Sequence, residues 1–314
     1  MNINTFIPFS RNALSTAVCL GLVAISPNVQ AVVLNGSATT STGTTSDAQF
    51  DSNPTAVNVY SSSNDAEGDS YSAARGNDAG WMYSYAQGSN TFSSTGNIQQ
   101  VVEFTNTSAF AQSYSFDFTI NRGSLSSYLY PPAAGYTATS SNKAVIKLNG
   151  VEIFNSEATL TTTDAGSTLT TSGTTLGTYS AGSSGYSWSA FSDTLDLGTF
   201  GVGESFTLEY DIFTLASSNA IQGPEICETY GDYGDYGYGD GGEFGGEGGT
   251  YCYSQQASYA RSQFGDPNGL ESTPIDTTTV TGQRATVTEE SSFLLFGAGI
   301  AGLAFSRRRK NRNN

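Results

Sequence analysis

Large apolar and polar residues alternate along several stretches of this chain. In residues 111–121, Tyr114, Phe116, Phe118 and Ile120 share one parity and Ser115, Asp117 and Thr119 the other. Period two puts successive side chains on opposite faces of a strand, so one face packs and the other meets water. Residues 205–216 repeat the pattern: Phe206, Leu208, Tyr210 and Ile212 oppose Thr207, Glu209 and Asp211. Two long amphipathic strands of this style are expected to face one another across a core. Residues 143–154 (KAVIKLNGVEIF) read as a hairpin, because Asn149-Gly150 supplies the two residues that accept positive φ in a tight turn. Residues 80–86 and 99–106 add an aromatic-rich strand and a buried one. No part of the body keeps a helical period for more than a turn or two.

These signals predict an all-β fold. The expectation is an antiparallel β-sandwich or jelly roll over residues 32–284, a single domain with a Gly/Tyr/Asp-rich insertion. Residues 35–70 are rich in Ser, Thr, Asn, Gly and Asp, and residues 35–50 within them hold few core formers and read as a flexible start or an edge strand. Residues 159–187, rich in Thr, Ser and Gly, read as connections along the edges.

Two apolar runs break the alternation, one near each end. Residues 13–25 (ALSTAVCLGLVAI) follow Arg11 and precede Pro27, and Val29-Gln30-Ala31 ends in a small residue. Residues 1–31 are therefore expected to be a secretory signal peptide cut after Ala31. Residues 293–305 (FLLFGAGIAGLAF) are apolar on all sides and lead into Arg307, Arg308, Arg309 and Lys310. As a helix this run reaches roughly 20 Å, short of the ~30 Å hydrocarbon layer. The basic end, residues 307–312, would stay on the cytoplasmic side.

Charge narrows the function. The chain carries −16, but the body has only six basic residues against all 28 acidic ones, a net of −22. Such a body repels nucleic acid and anionic lipid. There is no histidine, which removes the usual base of Ser-His and Cys-His catalysis and the commonest metal ligand. Paired carboxylates remain available for hydrolysis, with Asp117, Glu209 and Asp211 as examples on polar strand faces. Asn35-Gly-Ser and Asn106-Thr-Ser match the glycosylation sequon.

Cys19 lies in the leader, which leaves Cys227 and Cys252 for one disulfide. They bracket 24 residues, of which ten are Gly, five Tyr and six acidic. Closing such a loop contributes about 3 kcal/mol in the chain-entropy model. Asp232, Asp235, Asp240, Glu243 and Glu247 are hard oxygen ligands that suit calcium. Their spacing matches neither the EF-hand pattern nor the Gly-rich nonapeptide repeats. The other reading of the segment is a solvated loop with no ligand and no cofactor.

The C-terminal tail, residues 287–314, resembles a PEP-CTERM sorting signal. Val287-Thr288-Glu289-Glu290 stands where that family has its short acidic motif, with Glu289 at the motif's glutamate. The apolar helix and the cluster Arg307, Arg308 and Arg309 follow in the family's order. The resemblance covers 28 residues. It implies export in a Gram-negative bacterium, a transient inner-membrane tether and processing by an exosortase-like enzyme after passage through the secretion machinery. It also implies a setting rich in exopolysaccharide. Three functions remain for the body. One is a non-enzymatic cell-surface or extracellular-matrix protein. Another is a carbohydrate-binding or calcium-dependent adhesion module, with Trp81, Trp188 and tyrosines as a platform. The third is a secreted hydrolase with two carboxylates.

Overall fold

The computed structural model describes residues 28–130, 134–221, 225–229, 250–254, 257–265, 275 and 279–285, and every regular element among them is a β-strand. β1 (Asn28–Thr42), β2 (Ser46–Asn53), β3 (Ala56–Asn64) and β4 (Gly68–Asn77) lead into β5 (Met82–Thr105), which runs for 24 residues. β6 (Gln112–Ile120), β7 (Gly123–Leu129), β8 (Ala138–Leu148), β9 (Val151–Thr163) and β10 (Gly166–Gly173) follow. Then come β11 (Gly185–Trp188), β12 (Phe191–Phe200) and β13 (Ser205–Asn219). β14 (Glu225–Thr229) and β15 (Thr250–Ser254) form a ribbon of their own, and β16 (Ser258–Phe264) and β17 (Val280–Arg284) end the series.

β5 organises the fold. Its second half, from Phe92 on, is hydrogen-bonded between β1 and β13, in a wing ordered β2-β1-β5-β13-β8-β9-β10. Its first half, up to Asn90, lies between β4 and β16, in a second wing ordered β3-β4-β5-β16-β7-β11. The change of partners falls at Asn90, whose φ is 60°, a left-handed conformation that Asn tolerates better than most residues. Asn90 Oδ1 accepts the Ala257 N–H at 2.9 Å and so anchors the start of β16 at this corner. The sheet folds over on itself here into a barrel-like sandwich. The expected strands at 80–86 and 99–106 are the two ends of this one strand. Its polar middle stays extended because it is paired on both sides.

The interior differs between its two ends. One end is aromatic. The three-stranded sheet β12-β6-β17 lays Tyr114, Phe116 and Phe118 against Phe206, Phe104 and Phe154 of the first wing. Phe200 and Phe206 stack at 4.3 Å, and Phe118 meets Phe154 edge-on at 5.0 Å. The amphipathic strands β6 and β13 thus face each other across the core, as their patterns predict.

The other end is built from small residues, and here the expectation for residues 35–50 is met only in part. They form the second half of β1, which is paired on both sides by β2 and β5, and the first residues of β2, which pairs with β1 alone and is an edge. Gly36 and Ala38 of β1 face β3, and hydroxyls carry the contact between layers. Thr40 Oγ1 bonds Ser61 Oγ and Ser63 Oγ at 2.8 and 2.9 Å, and Ser72 donates to the Thr39 carbonyl at 3.1 Å. Ser84 Oγ and Thr214 Oγ1 join the two wings at 2.8 Å. Buried hydroxyls cost little when each finds a partner, so layers of Ser, Thr, Ala and Gly close without large apolar side chains.

The hairpin turn forms as read. β8 ends at Leu148, β9 begins at Val151, and Asn149 and Gly150 have φ of 51° and 78°. Residues 159–187 are more ordered than connections: they complete β9 and supply β10 and β11. The expected leader boundary, Ala31, lies inside β1 opposite Glu103, and Val29 pairs with Phe104. Among the described residues no helix is long and apolar enough to cross a membrane. The apolar run 293–305 and the sorting residues Val287, Glu289, Glu290, Arg307, Arg308 and Arg309 lie outside the described residues.

Candidate functional site: a tyrosine face on the second wing

The outward-facing residues of the second wing form a regular grid, because period-two strands in fixed register stack their side chains in rows. One row runs Asn58, Arg75, Tyr83 across β3, β4 and β5. The next runs Tyr60, Ala73, Tyr85, Gln263, Ser124 from β3 to β7. A third runs Ser62, Tyr71, Gln87, Arg261, Ser126, and the last runs Asn64, Asp69, Ser89, Tyr259, Tyr128. Each position alternates with an inward Ser, Ala, Gly or apolar residue on the same strand.

The rings pack into one layer. Tyr83 and Tyr85 stack at 6.0 Å, Tyr71 meets Tyr85 edge-on at 5.9 Å, and Tyr128 stacks on Tyr259 at 5.4 Å. Ala73 is the floor beneath Tyr83 and Tyr85, and Tyr71 and Trp81 close the cluster at its side. The Arg261 guanidinium sits over the Tyr85 ring at 5.2 Å, a cation–π contact. Tyr259 donates its hydroxyl to Gln87 Oε1 at 3.1 Å, and Tyr85 donates to the same oxygen. Arg261 donates to Gln263 Oε1, and Ser89 donates to Asp69.

Burial dominates the acid–base behaviour of this face. It raises the phenol pKa of Tyr83, Tyr259 and Tyr128, and pushes Tyr85 up to about 12, with Arg261 opposing the shift. The phenols therefore stay neutral donors and acceptors at any ordinary pH. Tyr83 and Tyr85 are buried, at 6% and 9% exposure, and the open part of the face lies around them: Tyr128 is 40% exposed and Tyr60 is 60% exposed, while Tyr71, Gln87, Tyr259 and both arginines are half-buried. It is a broad aromatic floor edged with hydroxyl, amide and guanidinium groups.

The residues anticipated from sequence are dispersed. Trp81 belongs to the tyrosine cluster. Trp188 does not: it is buried in the main core, with its indole N–H donated to the Asn121 carbonyl at 2.9 Å. Glu209 and Asp211 come together on the outer face of the first wing, but around Lys147, whose ammonium lies 3.3 and 2.8 Å from them. The Asp211 hydrogen bond, then the two carboxylate charges, raise the Lys147 pKa. Asp117 is remote, on β6, and accepts the Thr194 hydroxyl at 2.6 Å. Cys227 lies opposite Cys252 in the register of β14 and β15. Asp232, Asp235, Asp240, Glu243 and Glu247 lie outside the described residues. Among the described residues no three carboxylate or cysteine side chains gather as a metal cage. The sequon at Asn106 is occupied by folding: its side-chain nitrogen donates to the carbonyls of Phe110, Phe200 and Gly201 at 2.9, 2.9 and 3.0 Å.

Sequence reading missed the face itself. Its signal was present as tyrosines of one parity at 71, 83, 85 and 259, but only register across four strands makes them neighbours. No protein-family model, no curated protein and no solved structure matches this chain, so the tyrosine face is interpreted from its own geometry.

Proposed function

We propose that this chain is an exported, non-enzymatic cell-surface protein whose tyrosine face binds carbohydrate. The observation that carries the reading is one aromatic layer on the second wing, in which the accessible Tyr71, Tyr259 and Tyr128 border the buried Tyr83 and Tyr85. Sugar rings present apolar C–H faces and a rim of hydroxyls. Tyrosine matches both, offering a flat ring and a polar tip at low conformational cost. Gln87, Gln263 and Ser126 add hydrogen-bonding groups beside the rings, and the open shape suits a chain rather than a small molecule. The acidic body excludes nucleic acid as the stacking partner. The pairing of Glu209 and Asp211 with Lys147 disfavours them as an acid–base couple, which supports binding over hydrolysis.

Export and sorting rest on the signal-like residues 1–31 and the PEP-CTERM-like tail 287–314, with an exosortase-like enzyme as processing partner. The Cys227–Cys252 disulfide is part of the same reading. Directly opposite residues on antiparallel strands have Cα atoms about 4.5–5.5 Å apart, within the span a disulfide needs.

Affinity electrophoresis of the full-length chain through gels containing soluble polysaccharides tests the binding. Retardation by at least one polymer, lost in Tyr128→Ala/Tyr259→Ala, is expected. Identical mobility in every gel would refute it.

A further inference from the structure

Two of the six basic residues of the body, Arg75 and Arg261, stand on the tyrosine face. Their situation differs from that of the lysines on the opposite wing. There Lys143 pairs with Glu157 at 3.7 Å, and Lys147 is held between Glu209 and Asp211. Carboxylates outnumber basic groups almost fivefold in this body, so a guanidinium without a carboxylate beside it is an unusual placement. Yet among the described residues neither Arg75 nor Arg261 forms an ion pair. Asp69 is the one carboxylate in the grid, and it accepts from Ser89.

The donors are also unmet. Arg75 makes no hydrogen bond among the described residues, and the Arg261 guanidinium is held only by neutral groups, Gln263, Tyr259 and the Tyr85 ring. The Nε of each is buried without an acceptor. An arginine carries five N–H donors in a planar fork that matches a carboxylate edge-on. Tyr83 feels the charge of both guanidiniums, so they flank one patch of rings rather than separate regions.

We infer that the face selects carboxylate-bearing polysaccharide, polymers of uronic acid type, with Arg75 and Arg261 receiving the carboxylates and the tyrosines stacking on the sugar rings. The inference rests on the carbohydrate reading above and gives it a substrate class. The net charge of the body opposes approach of a polyanion, but that field is screened beyond about 8 Å at physiological ionic strength. A charge-assisted contact at the guanidinium is screened much less once the pair is partly desolvated.

The test pairs two polymers of one linkage: polygalacturonate and the same polymer with its carboxyl groups reduced to primary alcohols. Isothermal titration of the full-length chain is expected to give polygalacturonate an affinity at least about tenfold above that of the reduced polymer. In Arg75→Gln/Arg261→Gln that ratio is expected to fall to about one. Should the double variant lose its melting transition, the wild-type ratio and the single Arg75→Gln variant carry the test, since Arg75 forms no hydrogen bond or ion pair among the described residues. Equal affinity for both polymers, or an unaltered ratio in a folded variant, overturns the acidic assignment while carbohydrate binding stands. Binding of neither polymer, with retardation by a neutral glycan, also overturns only the acidic assignment. Binding to no glycan at all overturns both readings.

Discussion

The Tyr114 ring on β6 lies 5.3 Å from the Phe206 ring on β13, and the two residues belong to different hydrogen-bonded sheets. Phe206 also contacts Phe104 at 5.3 Å and Phe200 at 4.3 Å, so it is the hub of the aromatic end of the core. Phe206→Ala is expected to cost about 3–5 kcal/mol, because the rigid sheets around it cannot collapse into the void. Phe50→Ala, at a side chain 73% exposed, is expected to change stability by less than about 0.5 kcal/mol. Urea unfolding of both variants decides the matter, and equal midpoints would refute the assignment.

Gly96 of the first wing lies close against the backbone of the second. A Cβ there would stand 2.6 Å from the Ala73 carbonyl and 2.8 Å from that of Tyr85, both backbone atoms with no freedom to retreat. Gly96→Ala is expected to destabilise by about 1–3 kcal/mol through overpacking. Gly185→Ala, where the nearest atom is 3.7 Å away, serves as the control and should be near neutral. Thermal melts of the two variants compare them directly.

Acid should loosen the turn region around Asp65. Its carboxylate accepts the Thr44 N–H at 2.8 Å, both neighbouring threonine hydroxyls, and the Glu67 N–H at 2.9 Å. The Thr44 backbone bond, first among these, holds the group well below the ordinary carboxylate range. A depressed folded-state pKa contributes stability that is present above the unfolded value, about 3.9, and is lost as pH falls below it. The melting temperature is therefore expected to decline below about pH 4, with a shallower acid limb in Asp65→Asn. Superimposable limbs for the two proteins would exclude this role.

The alkaline limit should come from the tyrosine face. Burial raises Tyr85 to about 12, so its phenol is protonated in the fold where an unfolded chain would already ionise. A raised folded-state pKa contributes stability that is complete below the unfolded value, about 10, and is lost as pH rises through about 12. Ultraviolet titration should show a tyrosinate step near pH 12 coinciding with loss of structure by circular dichroism, and Tyr85→Phe should soften that step. Ionisation of every tyrosine near pH 10 with the fold intact would contradict it.

Some of this architecture was readable before the structure. Tyr114, Phe116, Phe118 and Ile120, and their counterparts on β13, are large enough to make alternation visible in one strand. Asn149-Gly150 announces its turn because few other pairs accept positive φ twice. Residues 35–42 could not be read as a strand paired on both sides because Ser, Thr, Gly and Ala give little hydropathy contrast. Their inward face is defined by hydroxyl partners such as Thr40 with Ser61, which belong to different strands. The carboxylates offered as candidate catalysts were visible, but Lys147, which holds Glu209 and Asp211, is not their neighbour in sequence.

The sequence by itself determined the fold class, the hairpin at residues 143–154, the acidic histidine-free body and the two apolar ends that motivate export. These are local or additive properties: period, turn chemistry, charge and run length. Only the tertiary structure decided that β5 serves two wings, that the chain bends at Asn90, and that tyrosines from β4, β5, β16 and β7 meet on one face with Arg75 and Arg261. Cross-strand register sets such neighbours, and register is a property of paired strands far apart in the chain, which a single strand's pattern does not contain.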